Sequence, residues 1–315
     1  MALTNTCSKA ILIVLNLAFI AAGAVFIYYG LNVKNNGWTD IFQGNVSKGS
    51  LDTGVIAFGA VVIAIALFGF LGALCRNKCL LVLYSIFVFL AMAVFILLAV
   101  IFFLSASTAN KWANEAYPAD AENEPDLAAG FDEVYCYAQA ANLCMTSSAT
   151  DALTAFYPGA GAQSILSVAT LLKINVTAPT GINGFCKAVD NQLAAVPLPN
   201  VKMPSQFTDV CNKCKEVETK YSAYKSIFEW TNEQCPLSTT SALWCGQFLI
   251  NNKAGDAYVG APYKECRPQL LSLWKSLSNK VAIGSTVLAV VSLILLFMAC
   301  SAGRNDDGAY YHDSV

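Results

Sequence analysis

Twelve cysteines are the residues of this 315-residue chain best able to do chemistry, and their positions divide them into two sets. Eight fall in one stretch: Cys136, Cys144, Cys186, Cys211, Cys214, Cys235, Cys245 and Cys266. In an oxidising compartment this even number can close into disulfides with no thiol left over. Eight cysteines allow on the order of a hundred pairings, so the sequence leaves the connectivity open. Cys211-Asn-Lys-Cys214 has the spacing of a zinc or redox pair. The only histidine, His312, lies in the C-terminal tail and no βαβ pattern surrounds the pair, so ordinary disulfide cysteines are the better reading. Cys7, Cys75, Cys79 and Cys300 instead stand at the ends of apolar runs. Facing a reducing cytosol, thiols so placed are common acceptors of thioester-linked acyl chains, and palmitoylation is expected at all four.

Other reactive groupings are scarce. A single histidine excludes a histidine-dependent triad and a multi-histidine metal site. The acidic run from Asp120 to Asp126 lacks the repeated oxygen-ligand spacing around a glycine that calcium requires, and reads as a solvated surface turn. With 19 basic and 21 acidic residues and a net charge of −2, the chain offers no cationic surface for nucleic acid. Neither an enzymatic activity nor a cofactor nor a metal is expected. Asp313-Ser314-Val315 reads as a tail rather than a PDZ ligand.

The elements that must position the cysteines follow from composition. Apolar residues make up 56% of the chain and charged ones 13%, against about 45–50% and about 25% in soluble domains. The excess gathers into charge-free runs at 10–33, 53–75, 79–107 and 281–303. A hydrocarbon core of about 30 Å asks for about 20 helical residues, so each run is long enough to span. The first is longer than the apolar block of an ordinary signal peptide and is read as a retained span. Four spans put both termini on one side. Arg76 and Lys78, in the turn 76–78 with no acid beside them, assign that side to the cytosol, with Lys9 and Arg304 agreeing. The expected order is a cytosolic N-terminus 1–9, a small extracellular loop 34–52, a large extracellular domain 108–280 and a cytosolic tail 304–315. The sequons at Asn45 and Asn175 then both face the glycosylating compartment. A plasma membrane or an endomembrane-derived surface membrane is the expected location.

The large loop has a near-soluble composition and helical periodicity in three places: Ile165, Val168, Leu171 and Leu172; Val217, Tyr221, Tyr224 and Phe228; and Leu270, Trp274 and Leu277. From Gln269 to Lys280 no proline or glycine intervenes, which predicts a helix continuing into the fourth span. The expected fold is an all-α membrane protein, a four-transmembrane-helix bundle with a large, mainly helical, disulfide-stapled extracellular loop.

None of the four runs contains Asp, Glu, Lys, Arg or His, which argues against proton relays and ion paths. Asn16 should seek an interhelical hydrogen bond worth about 0.6–2 kcal/mol. It opens a seven-residue series, Asn16, Gly23 and Gly30, matched by Gly59, Ala66 and Ala73 in the second run. Small residues so aligned predict close packing of the first two helices.

The run Gly69-Phe-Leu-Gly72-Ala-Leu-Cys75-Arg76-Asn77-Lys78-Cys79-Leu80-Leu81-Val-Leu-Tyr84 resembles the tetraspanin signature across the second and third helices, and Cys7-Ser-Lys9 followed by Asn16 and Gly23 resembles that family's first helix. The resemblance covers all four spans. In the long loop it extends only to position, length and cysteine richness, since the Cys-Cys-Gly motif is missing. A sterol pocket of the family's kind would lack its usual polar anchor, because acidic and amide residues are absent from the third and fourth runs. The resemblance implies a non-enzymatic membrane organiser that binds other membrane proteins laterally and through its large loop. The expected partners are other membrane proteins, lipids as acyl chains and sterol, and a second copy of the chain. A subunit of a stable adhesion or filament complex is the alternative, and a small-molecule carrier or channel ranks below both.

Overall fold

The computed structural model describes residues 5–35, 38, 41, 50–75, 78–156, 160–195, 205–221, 224–251 and 255–305. Within these the chain forms eleven α-helices and no strand: α1 Asn5–Asn35, α2 Ser50–Cys75, α3 Lys78–Asn114, α4 Glu124–Met145, α5 Ala149–Phe156, α6 Ala160–Leu171, α7 Gly181–Ala195, α8 Ser205–Tyr221, α9 Lys225–Gln234, α10 Thr239–Asn251 and α11 Pro262–Asn305. Four of them, α1, α2, α3 and α11, are long and apolar enough to cross a membrane. The chain divides into two compact units.

The first unit holds α1, α2, α3 and the part of α11 from Leu270 onward. Its core is Phe19, Val62, Ala66, Tyr84, Val88, Ala91, Phe95 and Leu295. Phe58 and Phe95 meet edge to face at 5.6 Å, and Phe26 meets Phe58 in the same way at 5.5 Å. Outward, Val82, Ile86, Phe89, Leu97, Ile101 and Leu104 of α3 are exposed, an apolar surface that only lipid or another apolar helix can cover without cost. The helix α3 continues past the charge-free run to Asn114. There the side chains turn polar: the Trp274 indole donates to the Ser105 hydroxyl at 2.8 Å, Ser105 bonds Ser278 at 3.2 Å, and Lys275 donates to the Asn110 amide oxygen at 2.9 Å.

The second unit comprises residues 34–48 and 117–269, in which α4 is central. Leu127, Ala128, Phe131, Val134, Ala138, Ala140 and Ala141 are all buried, so α4 is covered on most of its faces, and its many alanines let neighbours approach closely. Pro125 stands in its first turn, where the missing N–H would have no partner anyway, and Glu124 and Asp126 favour the positive end of the helix dipole. Reciprocal bonds start the shorter helices. Asp151 donates its N–H to the Ser148 hydroxyl, which donates to the Asp151 carboxylate ahead of α5, and Ser238 and Ser241 exchange N–H and hydroxyl ahead of α10. Lys173 closes α6 at φ 56°, with Ile174 N–H returning to Ala169 O at 3.0 Å.

Three expectations need correction. The stripe that α6 buries is Ala162, Ile165 and Ala169, continued by Leu172 in the turn just past its end, whereas Leu171 is 79% exposed because it lies about 100° around from that stripe's next position. Val217 and Phe228 belong to separate helices, α8 ending at Tyr221 and α9 beginning at Lys225. The acidic run is not uniformly solvated: Glu122 and Asp126 are exposed, but Glu124 is completely buried because a cation reaches it.

Candidate functional site

In the first unit the small residues bring α1 and α2 together. A β-carbon on Gly23 would stand 2.6 Å from the Ile63 side chain, and one on Gly30 would stand 2.8 Å from Ile56. Ala66 and Asn16 are each only 1% exposed. Pairing Gly23 with Gly59 and Gly30 with Ile56 defines an antiparallel register, which carries Asn16 toward Gly69 near the other end of α2. The side chain of Ala73 lies outside the described residues. Asn16 does find an interhelical partner: the Tyr84 hydroxyl of α3 donates to its amide oxygen at 3.1 Å. Gly69 makes that bond possible, since any β-carbon there would collide with the Tyr84 ring and the Asn16 oxygen. Sequence reasoning missed the role of Gly69, although the residue stands in the quoted signature. It stands three residues after Ala66, on the same face of α2.

A small cavity of about 10 Å³, no larger than a water, lies in this core, lined among others by Asn16, Phe19, Tyr84, Ser292 and Leu295. The Tyr84 hydroxyl is directed to Asn16, and the Ser292 hydroxyl donates to Leu288 O at 2.8 Å. Polar groups of the pocket thus already bond to the protein itself.

In the second unit the eight cysteines form Cys136–Cys245, Cys144–Cys214, Cys186–Cys211 and Cys235–Cys266. Cys211 and Cys214 do not pair with each other. Standing three apart on α8, they share a face and tie that helix to two different neighbours, α7 through Cys186 and α4 through Cys144. From α4, Cys136 reaches α10, while Cys235 at the end of α9 is joined to Cys266 in the second turn of α11. Gly181, at φ 65°, lets the start of α7 press against the Cys144 carbonyl, where no side chain would fit.

The short loop belongs to this unit. Ile41 is 1% exposed, and Gly130 of α4 lies so close that a β-carbon would stand 2.5 Å from the Ile41 carbonyl oxygen. Trp38 donates its indole N–H to the Ser226 hydroxyl at 3.2 Å and meets the Trp230 ring edge to face at 5.7 Å. Sequence reasoning gave the short loop no packing role. Its Trp38 and Ile41, large apolar residues in a short polar segment, were the available signal.

Buried polar groups concentrate where α4 meets the start of α11. Glu124 accepts the Arg267 Nε–H at 2.6 Å, the Tyr263 hydroxyl at 2.9 Å and the Ala119 N–H at 2.6 Å. Asp132 accepts the Tyr263 N–H at 2.6 Å. Burial pushes the Asp132 carboxyl up to about 8, the Tyr263 N–H only partly opposing it. Burial also raises the Tyr117 and Tyr263 phenols, with Glu124 adding to both. Asp256, exposed, is held below the usual carboxylate range by the N–H groups of Val259 and Tyr258. Among the described residues no group of three or more His, Cys, Asp or Glu could hold a metal ion.

Asn175 is exposed, its amide oxygen accepting the Thr177 N–H and hydroxyl at 3.0 and 2.8 Å. Asn45 lies outside the described residues, as do the side chains of Cys7, Cys75, Cys79 and Cys300.

The model of the tetraspanin family matches residues 8–305. Comparison with curated proteins and with solved structures finds no match.

Proposed function

The chain belongs to the tetraspanin family, and from that premise we propose that it gathers specific partner membrane proteins, binding them laterally through its spans and selectively through its disulfide-bonded loops. A general role in organising membranes goes with the family, as does the lack of an enzymatic role. The observation that carries the finer reading is the contrast within the first unit. Glycines and small residues are used up in packing α1 on α2, while α3 keeps a broad apolar surface facing outward. Surfaces of that kind exchange lipid for a neighbouring helix at little cost.

Four further features complete the proposal. Both termini face the cytosol, following Arg76 and Lys78. Asn45 and Asn175 carry glycans on the opposite side. Cys7, Cys75, Cys79 and Cys300 carry acyl chains that favour local clustering. Sterol and a second copy of the chain join the partner set.

Crosslinking mass spectrometry on native membranes, followed by purification in mild detergent, tests the central claim. Crosslinks from residues 117–269 to other membrane proteins are the expected result, and purification of an isolated monomer without companions would overturn it. Acyl exchange reads the four thiols. Protease protection places residue 175 outside the cytosol or refutes the orientation.

A further inference from the structure

The polar cluster between α4 and the first turns of α11 holds two fully buried carboxyls and one buried guanidinium. Glu124 takes the guanidinium of Arg267 and two further donors besides, and so has the partners a buried charge needs. Asp132 has a single donor, the N–H of Tyr263 at the second position of α11, on Oδ1. Its Oδ2 is buried and has no hydrogen-bond partner, and among the described residues no cation pairs with it. A buried carboxylate with one free oxygen and no counter-charge is costly, whereas the neutral acid in the same place is not.

We propose that Asp132 is a proton-binding site that locks the first turn of α11 onto α4 when protonated and loosens it when the proton leaves. Tyr263 makes the lock bidentate in a structural sense: its N–H goes to Asp132 and its hydroxyl to Glu124, so one residue of α11 is gripped by two acids of α4. Among the described residues the other titratable or charged groups around the cluster are Tyr135 on α4, Lys264, Glu265 and Arg267 on α11, Tyr117 on the segment before α4, and Asp256 and Tyr258 before α11. Tyr117 and Tyr258 stack at 4.0 Å, and Lys264 lies 5.7 Å from the Tyr258 ring centre. The phenols of Tyr117 and Tyr263 ionise above the range at issue, and Asp256 ionises below it.

The direction of the effect follows from proton linkage. The buried carboxyl keeps its proton to about pH 8, whereas an exposed aspartate releases it at about pH 4. Between those values the closed turn holds one proton more than the opened turn. Closure is therefore strengthened as pH falls, is fully reinforced below about pH 4, and loses the reinforcement as pH rises through about 8.

The test uses the full chain in lipid nanodiscs with its disulfides intact. Hydrogen exchange of peptides covering 261–269 is measured at pH 6 and pH 9 and corrected for the intrinsic pH dependence of exchange. The expected opening equilibrium is larger at pH 9, by at least about tenfold and up to about ninetyfold if opening fully hydrates Asp132. In Asp132→Asn the difference between the two pH values vanishes. Infrared difference spectra of the wild-type chain provide a second readout that needs no variant. A protonated carboxylic-acid band that disappears with a midpoint above pH 7 supports the site, and loss of all such bands by pH 6 overturns it. Equal pH dependence of exchange in wild type and Asp132→Asn overturns it as well.

Discussion

Gly23 and Gly59 meet backbone to backbone: a β-carbon on either would stand 2.8 Å from the carbonyl oxygen of the other. The contact is reciprocal, so neither helix can take a side chain here without moving away from its neighbour. Replacing Gly23 by alanine should separate α1 from α2 and destabilise the first unit by about 1–3 kcal/mol, as overpacking generally does. Gly284 of α11 has open space around its β-position, and Gly284→Ala is the control expected to cost little. Unfolding of both variants in the same detergent checks the contrast.

Tyr84→Phe removes the hydroxyl that reaches Asn16 and keeps the ring. A loss of about 0.6–1.7 kcal/mol is expected, the range found for hydrogen bonds between membrane helices. A double-mutant cycle with Asn16→Leu measures the coupling, and additive losses would show that the bond carries none.

Glu124 and Arg267 form a buried ion pair at 2.6 Å. Glu124→Ala leaves a guanidinium uncompensated and should cost about 3–5 kcal/mol, whereas replacing both residues by methionine should recover most of that loss. Thermal unfolding of the full chain with disulfides intact distinguishes the two results.

The disulfides enclose loops of different length, 109 residues for Cys136–Cys245 and 25 for Cys186–Cys211. With the other bridges intact, Cys144–Cys214 shortens the path from Cys136 to Cys245 to about 40 residues, so by chain entropy losing the first should cost only about 0.4 kcal/mol more than losing the second. Paired serine substitutions compared by denaturant unfolding decide this. A much larger difference would place part of the stabilisation in the folded state instead.

The spans were legible because lipid imposes a blunt requirement, a long run without charge, and α1, α2, α3 and α11 each contain one. The approach of Gly23 to Gly59 was legible for a related reason, since small residues repeat at helical intervals. Glu124 was not. Its neighbours Glu122 and Asp126 are solvated, and what distinguishes it is Arg267, 143 residues away in sequence. Disulfide connectivity was hidden in the same way: Cys211 and Cys214 look like a pair locally, and only the packing of α8 between α4 and α7 sends them to different partners. Local pattern reports what a residue can do, whereas long-range contact decides what it does.

Because the Ile41 carbonyl rests against Gly130, and Trp38 is held by Ser226 and Trp230, the minor loop is one of the walls of the major one. A chimaera that takes only residues 117–269 from a related protein would set one parent's wall against the other parent's interior. Grafts intended to transfer recognition between relatives should therefore carry both loops together, and an epitope tag placed near Ile41 should disturb antibodies raised against the far larger partner segment.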